Sequence, residues 1–143
     1  MTALALLFTL AAIGISETRY LIQKRTEHSN PVCVIGGQCQ LVLKSKYSTM
    51  FGMHNDVLGL FFYCTVAVLA GTLLVGKFPM EVLQAIESVI EIMIGIGAII
   101  SLVFINLQWK VIKAWCFWCL MSAATIACMG VIILTSDLLF GNV

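Results

Sequence analysis

Four long apolar runs, separated by polar breaks of unequal length, dominate the chain. The first covers residues 2–22, apolar as far as Ser16 and then broken by Glu17 and Arg19. The second, 57–76, and the fourth, 114–136, carry no charge at all. The third runs from 92 to 109 and extends backwards to about residue 82 through an amphipathic stretch bearing Glu87 and Glu91. A helix needs roughly 20 largely apolar residues to cross the hydrocarbon core of a bilayer, and each run meets that length. The pattern predicts an all-α, polytopic membrane protein. Its single domain, 1–143, is a four-transmembrane-helix bundle with helices at about 2–22, 57–76, 82–109 and 114–136. The first run lacks the basic flank and small-x-small cleavage site of a signal peptide, so it reads as a retained helix.

The connections differ in length. Residues 23–56 join the first two helices, far more than bundle helices usually require, whereas the other two links are short. Within that loop, 40–46 can form a short helix and Gly36-Gly37 permits a tight turn. With four spans, this loop and the link before the last helix emerge on the same membrane side. The first carries Cys33 and Cys39; the second leads into Cys116 and Cys119, the third and sixth residues of the expected last helix. Topology alone therefore gathers four of the six cysteines at one face. Cys64 and Cys128 fall inside spans and read as ordinary apolar packing.

Composition narrows the function. With 61% hydrophobic and 10% charged residues and a mean hydropathy of +1.04, the chain has too few polar side chains to cover a globule. A soluble enzyme and a disordered chain are excluded. A net charge of +1 leaves no basic footprint, so no nucleic acid partner is expected; membrane lipid is. The charges are nevertheless unevenly placed. Arg19, Lys24, Arg25, Lys44, Lys46, Lys110 and Lys113 fall on the cysteine-bearing side and Lys77 alone on the other. The positive-inside rule then puts the protein in the cell membrane with its cysteine face in the cytoplasm. The alternative is an extracytoplasmic face whose basic residues hold a partner or lipid headgroups.

Trp115-Cys116-Phe117-Trp118-Cys119 is a CxxC at an expected helix N-terminus. Its sulfurs can close or release a disulfide, and the free N–H groups and positive dipole end favour a thiolate. A second pair, Cys33-x5-Cys39, on the same face points to a relay. The loop pair can meet a water-soluble dithiol, and the pair at the hydrocarbon edge a lipid-soluble two-electron acceptor such as a quinone. Two blander readings compete. One is a structural zinc site, to which Cys-x5-Cys is poorly suited; the other is a pair of inert stabilising disulfides without catalysis. No haem or flavin motif is present, and His28 and His54 are the only imidazoles. Trp109, Trp115 and Trp118 suit an interfacial belt.

This arrangement resembles the vitamin K epoxide reductase family: a four-helix bundle with a loop cysteine pair, a Ser or Thr soon after, and a CxxC opening the fourth helix. The matching residues are Cys33 and Cys39, Ser45, and Cys116 and Cys119. Asn55-Asp56-Val57-Leu58-Gly59-Leu60-Phe61-Phe62-Tyr63 is similar to the family's start of helix two. The resemblance implies a quinone-dependent oxidoreductase that forms disulfides. A thioredoxin-like partner delivers electrons to Cys33 and Cys39, exchange passes them to Cys116, and Cys119 reduces a quinone of menaquinone or ubiquinone type. It also implies that Asn55 hydrogen-bonds a quinone carbonyl, although Asn55 or Asp56 would equally serve as a helix N-cap. Phe62 and Tyr63 join Asn55 on the acceptor side. Ser45 organises the loop pair or simply caps a turn. Ala123 stands where vertebrate members carry a Tyr, which favours plain quinone reduction over epoxide reduction. The chain runs only seven residues beyond Ser136, so the partner is expected to be a separate protein. The family's inverted archaeal branch matches the charge asymmetry. The analogous bacterial quinone-linked oxidant of periplasmic dithiols has its two motifs in the reverse order.

Overall fold

The computed structural model describes residues 1–35 and 37–140, with the side chains of 137–140 left aside. Gly36, half of the expected tight turn, lies outside the described residues. Four long helices, all apolar enough to cross a membrane, form the bundle: α1 (Thr2–Thr26), α3 (Asn55–Val75), α4 (Met80–Asn106) and α5 (Phe117–Phe140). The short α2 (Cys39–Leu43) and a two-residue antiparallel ladder, β1 (Thr49–Met50) with β2 (Met53–His54), lie in the loop. The ladder turns through Phe51 (φ 54°) and Gly52 (φ 79°), the left-handed pair that a tight hairpin requires.

Helix ends depart from the apolar runs for local reasons. α1 continues to Thr26 because Gln23 and Glu27 bond one turn apart at 2.9 Å, and Lys24 and Arg25 sit at its negative dipole end. α3 begins at Asn55 and stops at Gly76, whose φ of 62° no continuing helix accepts. The expected loop 23–56 thus shrinks to 27–54. α4 does not end near 109. It widens into a π-helical turn, Leu107–Ile112, closed by Lys113 at φ 53°. The fourth span consequently starts at Phe117 rather than 114, and Cys116 immediately precedes the helix instead of lying in its first turn.

α1 packs most extensively on α3, supported by α4 against α5 and α1 against α5. The core is Leu7, Ala11, Tyr63, Val66, Ile90, Ile94, Ile126 and Met129. Two glycines make room for the aromatic pair of α3. A Cβ at Gly14 would overlap the Tyr63 ring, and one at Gly97 would lie 3.1 Å from Phe62 Cζ. Large apolar side chains such as Phe61, Val68, Ile92, Ile99 and Leu134 face outward, as lipid permits. Cys64 and Cys128 are exposed on that outer surface. This corrects their reading as packing residues: α3 and α5 are apolar all round, so sequence does not mark which face is inside.

Candidate active site

The loop pair is a disulfide, Cys33–Cys39, with its Cα atoms 6.3 Å apart. Cys39 opens α2 and is almost wholly buried. The loop segment leading into Cys33 is held at Val32 through both its N–H and its C=O. Val32 N–H donates to the Tyr20 hydroxyl at 3.2 Å, and Trp118 Nε1–H donates to Val32 C=O at 2.8 Å. The Tyr20 and Trp118 rings pack with centroids 4.6 Å apart, so α1 and α5 together clamp the loop. Ser45 Oγ–H donates to Val42 C=O at 2.7 Å, which ends α2; this is a turn-capping contact.

Cys116 and Cys119 are free thiols. Cys116 is fully buried in the link between spans, and its own N–H donates to Gln108 Oε1 at 3.0 Å. Gln108, buried on the π-helical turn, thereby fixes the backbone where α5 starts. The Cys119 N–H in turn donates to Cys116 Sγ at 3.4 Å. A hydrogen bond from the Cys119 side chain is the main influence holding the Cys116 thiol below its ordinary value; burial opposes it, and the backbone N–H groups of Cys119 and Trp118 reinforce it. The Cys119 thiol, helped by the N–H groups at the helix start, thus favours a thiolate at Cys116. Cys39, Val42, Ala114 and Cys116 form one buried cluster, with Cys33 and Cys119 packed against it. All four predicted redox cysteines meet there.

Cys119 also faces a cavity of about 730 Å³ that the four spans enclose with the loop. That volume suits a small apolar ligand. Asn55, Phe62 and Tyr63 of α3 line it, as do Ser45, Ser122 and Ala123. Neither Asn55 nor Asp56 is the N-cap of α3; His54 takes that position without a side-chain bond. Asn55 Nδ2–H donates instead to Tyr47 C=O at 2.9 Å, which ties the loop to the helix start. Asp56 forms a two-point pair with Arg25 (2.9 and 3.3 Å) that joins α3 to α1. The Tyr63 hydroxyl is 2.7 Å from Ser122 Oγ and 3.1 Å from Ser122 C=O.

The clamp residues Tyr20 and Trp118, the anchor Gln108 and the partner Ser122 were not singled out for these roles in the sequence. Trp118 was visible inside the CxxC, but a belt explained it equally well. Glu17, an acid within a span, carried a signal of its own. Among the described residues, no group of three or more His, Cys, Asp or Glu side chains is placed to hold a metal.

Residues 5–134 match the sequence model of the Vitamin K epoxide reductase family, nearly the whole chain. No curated protein matches it. The chain belongs to the vitamin K epoxide reductase family, and it is a multi-pass membrane oxidoreductase of thiols and disulfides.

Proposed function

We propose that this member of the vitamin K epoxide reductase family makes disulfides in a separate thioredoxin-like protein and disposes of the electrons on a membrane quinone. The observation that carries the reading is the single cluster of Cys33, Cys39, Cys116 and Cys119, with Cys119 at the wall of an apolar cavity. A dithiol partner attacks the Cys33–Cys39 disulfide and leaves oxidised, with both loop sulfurs reduced. A loop thiolate then attacks the Cys116–Cys119 disulfide, re-forming the loop bond and leaving two thiols at the head of α5. A Cys33–Cys39 disulfide beside free Cys116 and Cys119 is the arrangement that such an exchange would leave.

The cavity fits a quinone head group by its volume and its mainly apolar surface, with polar side chains such as Asn55, Gln108 and Ser122 in its lining. Asn55, with one amide hydrogen left over, and the rings of Phe62 and Tyr63 would hold it, while Ser45 keeps the loop in register. A bound quinone, of menaquinone or ubiquinone type, would take up two electrons and two protons and leave as the quinol. Cys119, at the cavity wall, is the sulfur that delivers the electrons, and Cys116 closes the disulfide. The basic cysteine-bearing side supports a cytoplasmic placement of this face.

Purified protein supplied with a reduced thioredoxin-like protein and a short-chain quinone tests the reading. Quinol is expected to form in step with partner disulfide. Cys119→Ser abolishes it, whereas Cys64→Ser and Cys128→Ser, on the outer surface, leave it intact. A stapled protein without catalysis would leave the quinone oxidised.

A further inference from the structure

One acidic side chain is carried into the bundle by α1. Glu17 is the sole acid among residues 1–22; it is 7% exposed, and its Oε2 has no hydrogen-bond partner among the described residues. It lines the cavity that Cys119 faces. Gly14, one turn earlier, is the notch that receives the Tyr63 ring, so Glu17 stands beside Tyr63, whose hydroxyl bonds Ser122 one turn beyond Cys119. An unpaired carboxylate is costly in such a place, so a retained acid there needs a proton or a partner.

The other titratable groups that the spans bring to this cavity are already engaged. Asp56 is paired with Arg25 and Tyr63 is bonded to Ser122. Lys24 lies over the Tyr20 ring, 5.7 Å from its centroid, and α4 supplies no titratable group to the lining. Glu17 is left with an oxygen to use.

We infer that Glu17 is a catalytic proton-exchanging residue of the acceptor pocket, protonating an oxygen of the quinone as electrons leave Cys119. This rests on the quinone reading above. Formation of the Cys116–Cys119 bond releases two electrons and two thiol protons. Glu17 gives its proton to one oxygen and recovers one of the thiol protons; the other thiol proton goes to the second oxygen. The sum is dithiol plus quinone to disulfide plus quinol.

Full-length protein carrying Glu17→Gln, Glu17→Leu or Glu17→Asp provides the test, with decylubiquinone as the probe. Three quantities are read: quinol formation, the redox-difference infrared signal of a protonated carboxyl group, and dithiothreitol-driven reduction of Cys116 and Cys119, counted by maleimide with no quinone present. For Glu17→Gln and Glu17→Leu, kcat for quinol is expected to fall at least about ten-fold. The carboxyl signal disappears, thiol reduction stays as in the wild type, and Glu17→Asp recovers part of the rate. Thiol reduction at the wild-type rate, rather than the faster reduction of an opened chain, reports an intact fold, and Glu17→Gln, nearly isosteric, decides the matter if Glu17→Leu is lost. Wild-type turnover in Glu17→Gln overturns the inference, as does a wild-type protein with no carboxyl signal. If the wild type itself leaves decylubiquinone oxidised while its thiols reduce normally, the quinone reading falls and this inference with it.

Discussion

Cys116 is held by three separate hydrogen-bonding arrangements, and each sets a different property. Gln108 takes up its backbone N–H and fixes its place, while the Cys119 thiol and the Cys119 N–H both reach its sulfur. Because the side chain of Cys119 is the main influence lowering Cys116, Cys119→Ala is expected to raise the Cys116 midpoint towards that of an ordinary thiol while leaving the backbone contribution in place. The sign follows from the reactive species. A lowered midpoint keeps Cys116 a thiolate to lower pH, so its alkylation in reduced protein persists on acidification, and in Cys119→Ala it fades at higher pH. Mass spectrometry of Cys116 alkylation across pH reads the midpoint, and restricted access of the reagent to the buried sulfur slows the absolute rate without moving it. An unchanged midpoint in Cys119→Ala would remove the thiol–thiol contact from the account of reactivity.

At the scale of elements, the site depends on how α1 and α5 grip the loop. Trp118→Phe keeps an aromatic face for Tyr20 but loses the 2.8 Å bond to Val32 C=O, which is worth about 1 kcal/mol. Transfer from the loop pair to Cys116 and Cys119 is expected to slow, and hydrogen exchange around Val32 to rise, while the helices keep their protection. Gly14→Leu acts on the bundle itself. Its side chain meets the Tyr63 ring, and overpacking of this kind costs about 1–3 kcal/mol; a lower thermal midpoint in detergent is the expected result. These contacts also mark where sequence stops being informative. The four spans and the meeting of four cysteines were legible, because run length counts spans and parity assigns sides. The start of α5 was not, since nothing in Gln108 to Lys113 announces a π-helical turn that pushes the helix start to Phe117. Nor were the inner faces of α3 and α5. A polar outer stripe normally reveals the buried side of a helix, and these two helices have none.

At the scale of the whole molecule, the distribution of charge bears on which side of the membrane the cysteine cluster faces. Seven basic residues on the cysteine-bearing side against Lys77 on the other predict a cytoplasmic site. The pairing of Arg25 with Asp56 does not weaken the count, because acidic residues contribute little to topology. A protein oriented this way would oxidise cytoplasmic thiols and draw on the membrane quinone pool from the inner side. Two reporters on opposite ends of the bundle make the prediction two-sided: the native loop pair, reduced before labelling, and Phe78→Cys in a chain with no other cysteine. Phe78 lies in the link between α3 and α4 and is half exposed. A membrane-impermeant maleimide added to intact cells is expected to label Phe78→Cys at once and to reach Cys33 only after permeabilisation. The opposite pattern would turn the molecule over, and the basic residues would then have to be explained by contact with an acidic partner or with lipid headgroups, both of which added salt would weaken.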